Sequence, residues 1–182
     1  MIKGKELFIK YGLKKTSIDE IVNACGIAKG SFYTFFNSKE ELYYAIMKQE
    51  EAFKDAMIQE MINSDRNPQE LLHDLFTKSF DMLESNPFLQ RVIRKEEYEL
   101  LIRKVPKEML ESHSESDNES GAELIAKWKS NRLLVDEEPD IIIGLLRAVV
   151  LISLHREEIG TERYDKVKTL LIKCVAEGLI QK

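Results

Sequence analysis

The chain has 182 residues, of which 43% are hydrophobic and 32% are charged, and its net charge at pH 7 is −5. With four prolines, this composition indicates a folded, soluble, helix-rich protein that is long enough for a small domain and a second, larger core. The sequence shows neither a signal peptide nor an apolar run of about 18 residues, which argues against a secreted or membrane protein and predicts a cytoplasmic one.

A short helix and a tight turn are predicted between Ser17 and Gly26. Ser17 and Glu20 have the spacing of a capping box, in which each side chain binds the backbone N–H group of the other residue. Apolar residues then recur at helical spacing: Ile18, Ile21, Val22 and Cys25. Gly26 stands where the helix needs a left-handed residue to end, and Ile27 is expected to pack inward from the turn.

A second helix is predicted from about residue 28 to residue 36. Phe32 and Phe36 form its buried face, and Ser38 with Glu41 gives a second capping box that starts the next helix. The outward face of the second helix carries five residues: Lys29, Gly30, Ser31, Tyr33 and Thr34. This succession predicts a helix-turn-helix, the motif that places its second helix in the major groove of DNA.

The outward residues suit DNA chemically. Lysine neutralises phosphate, hydroxyl groups donate to phosphates or base edges, and Gly30 lets a backbone approach closely. Lys39 is a second phosphate candidate, although a cation in the first turn of a helix opposes the helix dipole. The alternative interpretation is that these are ordinary surface residues.

The charge distribution supports a DNA-binding N-terminus. Residues 1–48 contain eight lysines and five acidic residues, a net charge of +3, so the rest of the chain has a net charge of −8. We therefore expect the basic end to meet phosphate while the acidic body stays off the duplex.

The N-terminal region resembles the TetR family of bacterial regulators. The resemblance lies in residues 16–18, 25–33 and 36–42, with a lead-in at residues 7–8 and 11–12. It implies that Thr16 and Ser17 lie near the phosphate backbone, that Lys29, Ser31 and Thr34 face the groove, and that Tyr33 and Lys39 contact phosphates. The chain departs from the family pattern at Ala28, often a serine or threonine cap, and at Phe35, often histidine or tyrosine.

The resemblance also implies an all-α homodimer. We expect about nine helices in two domains: a three-helix helix-turn-helix domain over residues 1–46, and a larger ligand-binding and dimerisation domain over residues 47–182. Most family members are repressors that a small molecule releases from a palindromic operator.

The body of the chain shows further helical patterns. A long helix is predicted from residue 39 to about residue 63, followed by helices over about 68–85 and 87–105. Residues 112–121 are rich in serine and acidic residues without periodicity, which predicts a mobile loop. A short helix then follows over about 122–131.

Two C-terminal helices are predicted over about 140–155 and 161–179. The first is apolar nearly all round and must be covered on both sides, which suggests its own core on one side and a second subunit on the other. The second carries a narrow apolar stripe: Tyr164, Val167, Leu171, Cys174 and Gly178. Together they predict a four-helix bundle across a two-fold axis.

Ligand-binding candidates are the methionines and aromatics that commonly line adaptable pockets, although plain core packing explains the same residues. They are Met57, Met61, Phe76, Phe80, Tyr98 and Trp128. Arg147 is a lone charge within an apolar helix, where it would bind an anionic ligand group or pair with Glu96, Glu97 or Glu99.

Nothing in the sequence predicts an enzyme, a metal site or a cofactor, since catalytic triads, metal-spaced clusters and phosphate-binding glycine loops are absent. Cys25 and Cys174 are expected to be reduced core residues, with a redox sensor as the alternative. The predicted partners are an operator duplex, a small-molecule effector and a second copy of the chain. The rival function is a helix-turn-helix regulator whose larger domain binds a protein.

Overall fold

The structure is a computed structural model that describes residues 1–181, with the side chains of all of these except 111–118 and 120. Within the described residues the chain forms α-helices, one 3₁₀ turn and an isolated antiparallel bridge between Leu134 and Ile180. The predicted all-α fold is confirmed.

The described part of the chain forms eleven α-helices, and a 3₁₀ turn at Ile152–His155 follows the ninth. The helices are α1 Ile2–Lys15, α2 Ile18–Cys25, α3 Lys29–Tyr33, α4 Lys39–Ile62, α5 Pro68–Ser85, α6 Pro87–Ile93, α7 Tyr98–Lys104, α8 Lys107–Ser130, α9 Pro139–Leu151, α10 Arg156–Ile159 and α11 Tyr164–Leu179. The number exceeds the predicted nine because one predicted helix is divided into α6 and α7, and because α10 was not predicted.

The chain forms two compact units. Unit 1 comprises Met1–Phe53 and Asn86–Ser114, and unit 2 comprises Lys54–Ser85 and Glu115–Lys182. Both α4 and α8 therefore contribute residues to each unit. The predicted domains, 1–46 for DNA binding and 47–182 for ligand binding and dimerisation, describe function rather than compact units. This division stays a prediction.

Unit 1 is held together by contacts between its two chain segments. The ring of Tyr43 packs between those of Phe8 and Phe88, with ring centroids 5.2 Å and 4.7 Å apart. Tyr44 donates its hydroxyl hydrogen to the carbonyl oxygen of Met109 at 2.5 Å. Removing residues 86–114 would therefore expose part of the core beneath the helix-turn-helix.

Unit 2 has its own apolar core, to which α4, α5, α8, α9 and α11 all contribute. Glu84 of α5 accepts hydrogen bonds from the hydroxyl of Tyr164 and the ammonium of Lys168, each at 3.0 Å. Burial and this hydrogen bond raise the pKa of the Tyr164 phenol. The contacts fix α5 against α11 at the edge of the core.

The predicted loop at residues 112–121 is wrong, because these residues lie within α8. The helix is anchored near both ends, where Leu110 is partly buried and where Leu124, Ile125 and Trp128 are buried. Helix propagation costs less than nucleation, so a polar segment between two anchored turns continues the helix.

The first helix is broken at Gly12, whose φ of 76° and ψ of 163° lie outside the helical region. A break leaves backbone groups without helical partners. The N–H group of Leu13 donates instead to the carboxylate of Glu97 at 3.0 Å. Glu97 is 8% exposed and lies 3.4 Å from the guanidinium of Arg91. A methyl group at Gly12 would lie 2.7 Å from Arg91 and 2.9 Å from Glu97.

We expect Gly12→Ala to lower the free energy of unfolding by about 2–4 kcal/mol, because alanine is strained at this positive φ and its methyl group clashes with Glu97 and Arg91. Gly26→Ala is the control for a left-handed glycine without contacts, because Gly26 has a φ of 66° and a ψ of 32° and no atom lies within 4 Å of an added methyl group. It should lose about 1–2 kcal/mol. Urea unfolding followed by circular dichroism measures both, and equal losses would show that the contact with Glu97 contributes nothing.

Candidate DNA-binding site

The N-terminus of α2 is fixed by the predicted capping box. Ser17 accepts a hydrogen bond from the backbone of Glu20 at 3.2 Å, and the Glu20 carboxylate accepts one from the backbone of Ser17 at 2.7 Å. The hydrogen bonds that the Glu20 carboxylate accepts from the backbone and the hydroxyl of Ser17 lower the pKa of Glu20. At the other end Gly26 adopts the left-handed conformation, as predicted. Both ends of α2 are thus set by local chemistry.

The recognition helix α3 has five residues and is shorter than predicted. Its N-cap is Ala28, whose side chain makes no capping hydrogen bond. The helix is held by Phe32, which is buried beside Ile21 and Val22 of α2 in the core of unit 1 and packs 5.8 Å from the ring of Phe36. The short helix therefore depends on packing rather than on its cap.

The outward face of α3 is exposed as predicted. The side chains of Lys29, Ser31, Tyr33 and Thr34 are all exposed, and nothing lies within 4 Å of a methyl group added at Gly30. This surface combines hydroxyl donors with a position where another backbone has room to approach. An exposed face of this kind is what a helix that enters a major groove requires.

Lys29 has a partner within the protein. Its ammonium lies 2.8 Å from the Asp19 carboxylate of α2, and both side chains are exposed. The hydrogen bond and the negative charge of Asp19 raise the pKa of Lys29. Lys29 would have to exchange this carboxylate for a phosphate or a base edge in order to contact DNA.

Two predicted phosphate contacts have structural roles around the break in α1. Thr16 is 1% exposed, and its hydroxyl donates to the carbonyl of Gly12 at 2.8 Å. Lys39 donates to the carbonyls of Leu13, Lys14 and Thr16 at 2.7, 3.1 and 2.7 Å. The negative end of α1 thus explains why a cation is favoured at the start of α4. The predicted phosphate contacts of Thr16 and Lys39 stay predictions.

The second capping box differs from its predicted form by one residue. Ser38 accepts from the backbone N–H of Glu41 at 3.1 Å, but the Glu41 carboxylate accepts from the backbone N–H of Asn37 at 2.9 Å. The turn between α3 and α4 is therefore fixed at residues 37–41.

Some apolar residues of unit 1 do not pack as predicted. Ile27 and Cys25 are exposed, because the eight-residue α2 buries just Ile21 and Val22 and the later residues lie past the core. Cys174 is exposed as well, so neither cysteine is the core residue that was expected.

The structure also adds two candidates that the motif alone did not suggest. Lys14 and Lys15 are exposed in the last turn of α1, two or three residues before Ser17. The cluster of N-terminal lysines was the signal in the sequence that could have identified them.

The helix-turn-helix geometry agrees with the comparisons to known proteins. Residues 3–46 match the family model described as "Bacterial regulatory proteins, tetR family". The helix-turn-helix region of this chain is therefore similar to that of the TetR family. The HTH-type transcriptional repressor KstR2 of Mycobacterium tuberculosis (strain CDC 1551 / Oshkosh) is 24% identical over 150 residues, which cover 82% of this chain and 74% of that protein.

Two solved structures share the TetR-family fold along nearly the whole chain. A Clostridium perfringens putative fatty acid metabolism regulator has a TM-score of 0.71 at 18% identity, covering 100% of this chain and 98% of that one. FadR from Bacillus subtilis in complex with stearoyl-CoA has a TM-score of 0.72 at 14% identity, covering 98% and 96%. These likenesses establish the fold, and the relatives are regulators rather than enzymes.

The residues predicted to bind a ligand are divided between core and surface. Five of them are buried in unit 2: Met57, Met61, Phe76, Phe80 and Trp128. Tyr98 belongs to unit 1 and is 48% exposed. Arg147 is exposed, so it is not the buried charge that was expected, and Glu96 and Glu97 form ion pairs with Arg91.

Two depressions lie on the surface of unit 2. One, of about 520 Å³, is lined by polar and charged residues between Arg66 and Asp74. The other, of about 420 Å³, lies between α8 and α9 and includes Glu119, Asp140 and Arg147. The buried aromatic and methionine residues line neither of these depressions; four of them, Met61, Phe76, Phe80 and Trp128, pack in the unit 2 core.

The described side chains contain no group of three or more histidine, cysteine or acidic residues placed to bind a metal ion. Among the residues that the structure covers, no helix combines the length and apolarity needed to cross a membrane.

Lys39→Met removes the ammonium group and keeps most of the aliphatic chain. We expect the free energy of unfolding to fall by about 1–3 kcal/mol, because three carbonyls lose a charged donor. The slope of log affinity for DNA against log salt concentration should stay unchanged. Loss of a phosphate-binding lysine would instead reduce the slope by about 1.

The control for this measurement is Lys166→Met, which changes an exposed lysine of α11 and should alter neither quantity. A Lys39→Met protein with unchanged stability and a shallower salt slope would assign Lys39 to phosphate.

Proposed function

We propose that this protein is a sequence-specific DNA-binding repressor that leaves a palindromic operator when a small apolar or amphipathic ligand binds. The observation that carries the proposal is the exposed outward face of α3, held by α2 and α4 in a helix-turn-helix. The repressor KstR2 supports the direction of regulation. Such a protein would act in the cytoplasm, where it reaches the chromosome.

The proposed DNA contacts divide by chemistry. Ser31 and Thr34 would donate to base edges, with Lys29 beside them, while Ser17 and Tyr33 would donate to phosphates. Gly30 would allow close approach of the DNA backbone. In this proposal Thr16 and Lys39 act chiefly by fixing the end of α1, and residues 1–46 form the DNA-binding domain.

The test is selection of bound duplexes from a random pool by the full chain, repeated over a series of salt concentrations. We expect a palindrome with two half-sites about one helical turn or somewhat more apart. Salt-sensitive binding without an enriched motif would contradict the proposed sequence specificity. Absence of binding at low salt, before and after removal of bound small molecules by refolding, would contradict DNA binding itself.

Gly30→Ala tests the recognition helix in the same assay. Alanine has room at this position and favours helix over glycine by about 1 kcal/mol, so the variant should be at least as stable as the wild type. We expect at least tenfold weaker binding to the selected duplex, because the added methyl group meets the DNA. Unchanged affinity would show that α3 does not approach DNA at Gly30.

A homodimer is proposed from two exposed apolar faces in unit 2. On α9, Ile142 and Val149 are buried, whereas Ile141, Leu145 and Leu151 are exposed. On α11 the exposed residues are Val167, Leu170, Cys174 and Gly178. Faces of this kind are commonly covered by a second subunit, and small residues there allow helices to approach closely.

Leu145→Glu and Leu170→Glu should each convert the dimer to a folded monomer, because a charge would be buried in the proposed interface. Both side chains are exposed in the single chain, so the fold should survive. Thr169→Glu is the control, since Thr169 is exposed on the other flank of α11. Sedimentation measures the mass, and dimers of both leucine variants would place the interface elsewhere.

A ligand-responsive mechanism is proposed from the composition of the unit 2 core. Met61, Phe76, Phe80 and Trp128 pack in one cluster, and methionine side chains repack at low cost when a ligand enters. FadR, which has the same fold, is solved in complex with stearoyl-CoA. Stearoyl-CoA is therefore the first probe for release of the selected duplex.

The second candidate function is a regulator whose larger domain binds a protein. It is favoured by the packing of the predicted ligand residues as core and by the exposed apolar faces of α9 and α11. The two functions differ in whether a small molecule or a protein releases the duplex.

A further inference from the structure

Phe35 has the most exposed aromatic side chain that the structure describes. It is 77% exposed, whereas the neighbouring Phe32 is 3% exposed and Phe36 is partly buried. Its backbone N–H group donates to the carbonyl of Phe32 at 3.0 Å, so the main chain of Phe35 lies in the turn that directly follows α3. The fold thus uses the backbone of Phe35 and leaves its ring in solvent.

The ring lies beside the proposed DNA-binding surface. Successive residues of a helix are about 100° apart, which places Gly30 and Thr34 opposite the buried Phe32, with Ser31 on one flank of this face and Tyr33 on the other. Phe35 follows Ser31 by four residues, and the C-cap Thr34 keeps a helical conformation, so Phe35 lies on the flank of Ser31. The ring of Phe35 therefore extends a polar, hydroxyl-rich surface with an apolar group.

The chemistry of a phenyl ring limits the groups on DNA that Phe35 can contact favourably. It has no hydrogen-bond donor or acceptor, so it serves neither a phosphate oxygen nor a polar base edge. In the major groove the base edges present donors and acceptors together with one apolar group, the 5-methyl group of thymine. An apolar side chain on the flank of a recognition helix matches that group.

We propose that Phe35 is a specificity-determining residue that reads thymine by packing its ring against the 5-methyl group. The inference rests on the proposed DNA-binding function and adds a base preference to it. Each half-site should then contain a thymine at a fixed position, and the preference arises from apolar contact rather than from a hydrogen bond.

The test replaces each thymine of the selected duplex by deoxyuridine, one position at a time and in both half-sites alike. Deoxyuridine keeps the base pair and removes the methyl group. Wild-type protein should lose about fourfold in affinity per half-site at one position, the effect of removing one buried methyl group. Phe35→Ala should bind more weakly and should not distinguish thymine from deoxyuridine at that position.

Two variants control the measurement. Phe35→Tyr keeps the ring and should retain the discrimination, and Tyr33→Phe removes a hydroxyl on the other flank and should leave the discrimination unchanged. Because Phe35 is exposed, Phe35→Ala should unfold at the same urea concentration as the wild type.

The outcomes separate this inference from the function on which it rests. Wild-type protein that selects no DNA sequence overturns both. Specific binding that is indifferent to every deoxyuridine, or equal sensitivity of the wild type and Phe35→Ala, overturns the role of Phe35 alone. A selected half-site without thymine also overturns the role of Phe35 and leaves the proposed DNA-binding function intact.

Discussion

The break of α1 at Gly12 is the constraint on which the helix-turn-helix depends. At this point the regular backbone hydrogen bonds of the helix are interrupted. Two side chains from distant parts of the chain bind the backbone groups that are left without helical partners. Glu97 accepts from the N–H group of Leu13, and Lys39 donates to the carbonyls of Leu13, Lys14 and Thr16. Because Ser17, the N-cap of α2, directly follows Thr16, this pair of interactions fixes where the DNA-binding motif starts.

The first of these interactions buries a carboxylate in unit 1. A buried carboxylate such as Glu97 is tolerated when a hydrogen bond and a cation compensate for lost water. The N–H group of Leu13 supplies the hydrogen bond, and the guanidinium of Arg91 supplies the cation. Since Glu97 and Arg91 lie beyond residue 86, the DNA-binding motif is continuous in sequence while its supporting core is not. A fragment that ends near residue 46 would lack both the ionic pair and Phe88.

The features that could be predicted from sequence are those decided within a few residues. The capping box of Ser17 and Glu20, the left-handed Gly26 and the outward face of α3 each depend on groups three or four positions apart. The role of Lys39 was not predictable in this way, because its partners precede it by more than twenty residues. The continuity of α8 was missed for a related reason, since anchoring at its two ends overrides the composition of its middle. Exposure of Cys25 depends on how far the core extends, which a periodic pattern does not specify.

The ion pair between Lys29 and Asp19 has a consequence for the thermodynamics of association. A lysine that is free in solution contributes to DNA affinity through the small cations that its phosphate contact expels from the duplex. Lys29 already has a carboxylate as its counter-ion, so its transfer to DNA breaks an ion pair within the protein. An exposed pair of this kind contributes little free energy, and the net gain from the contact of Lys29 with DNA is smaller by that amount. The cations released from the phosphates remain, so Lys29 adds less to affinity than to the dependence of affinity on salt.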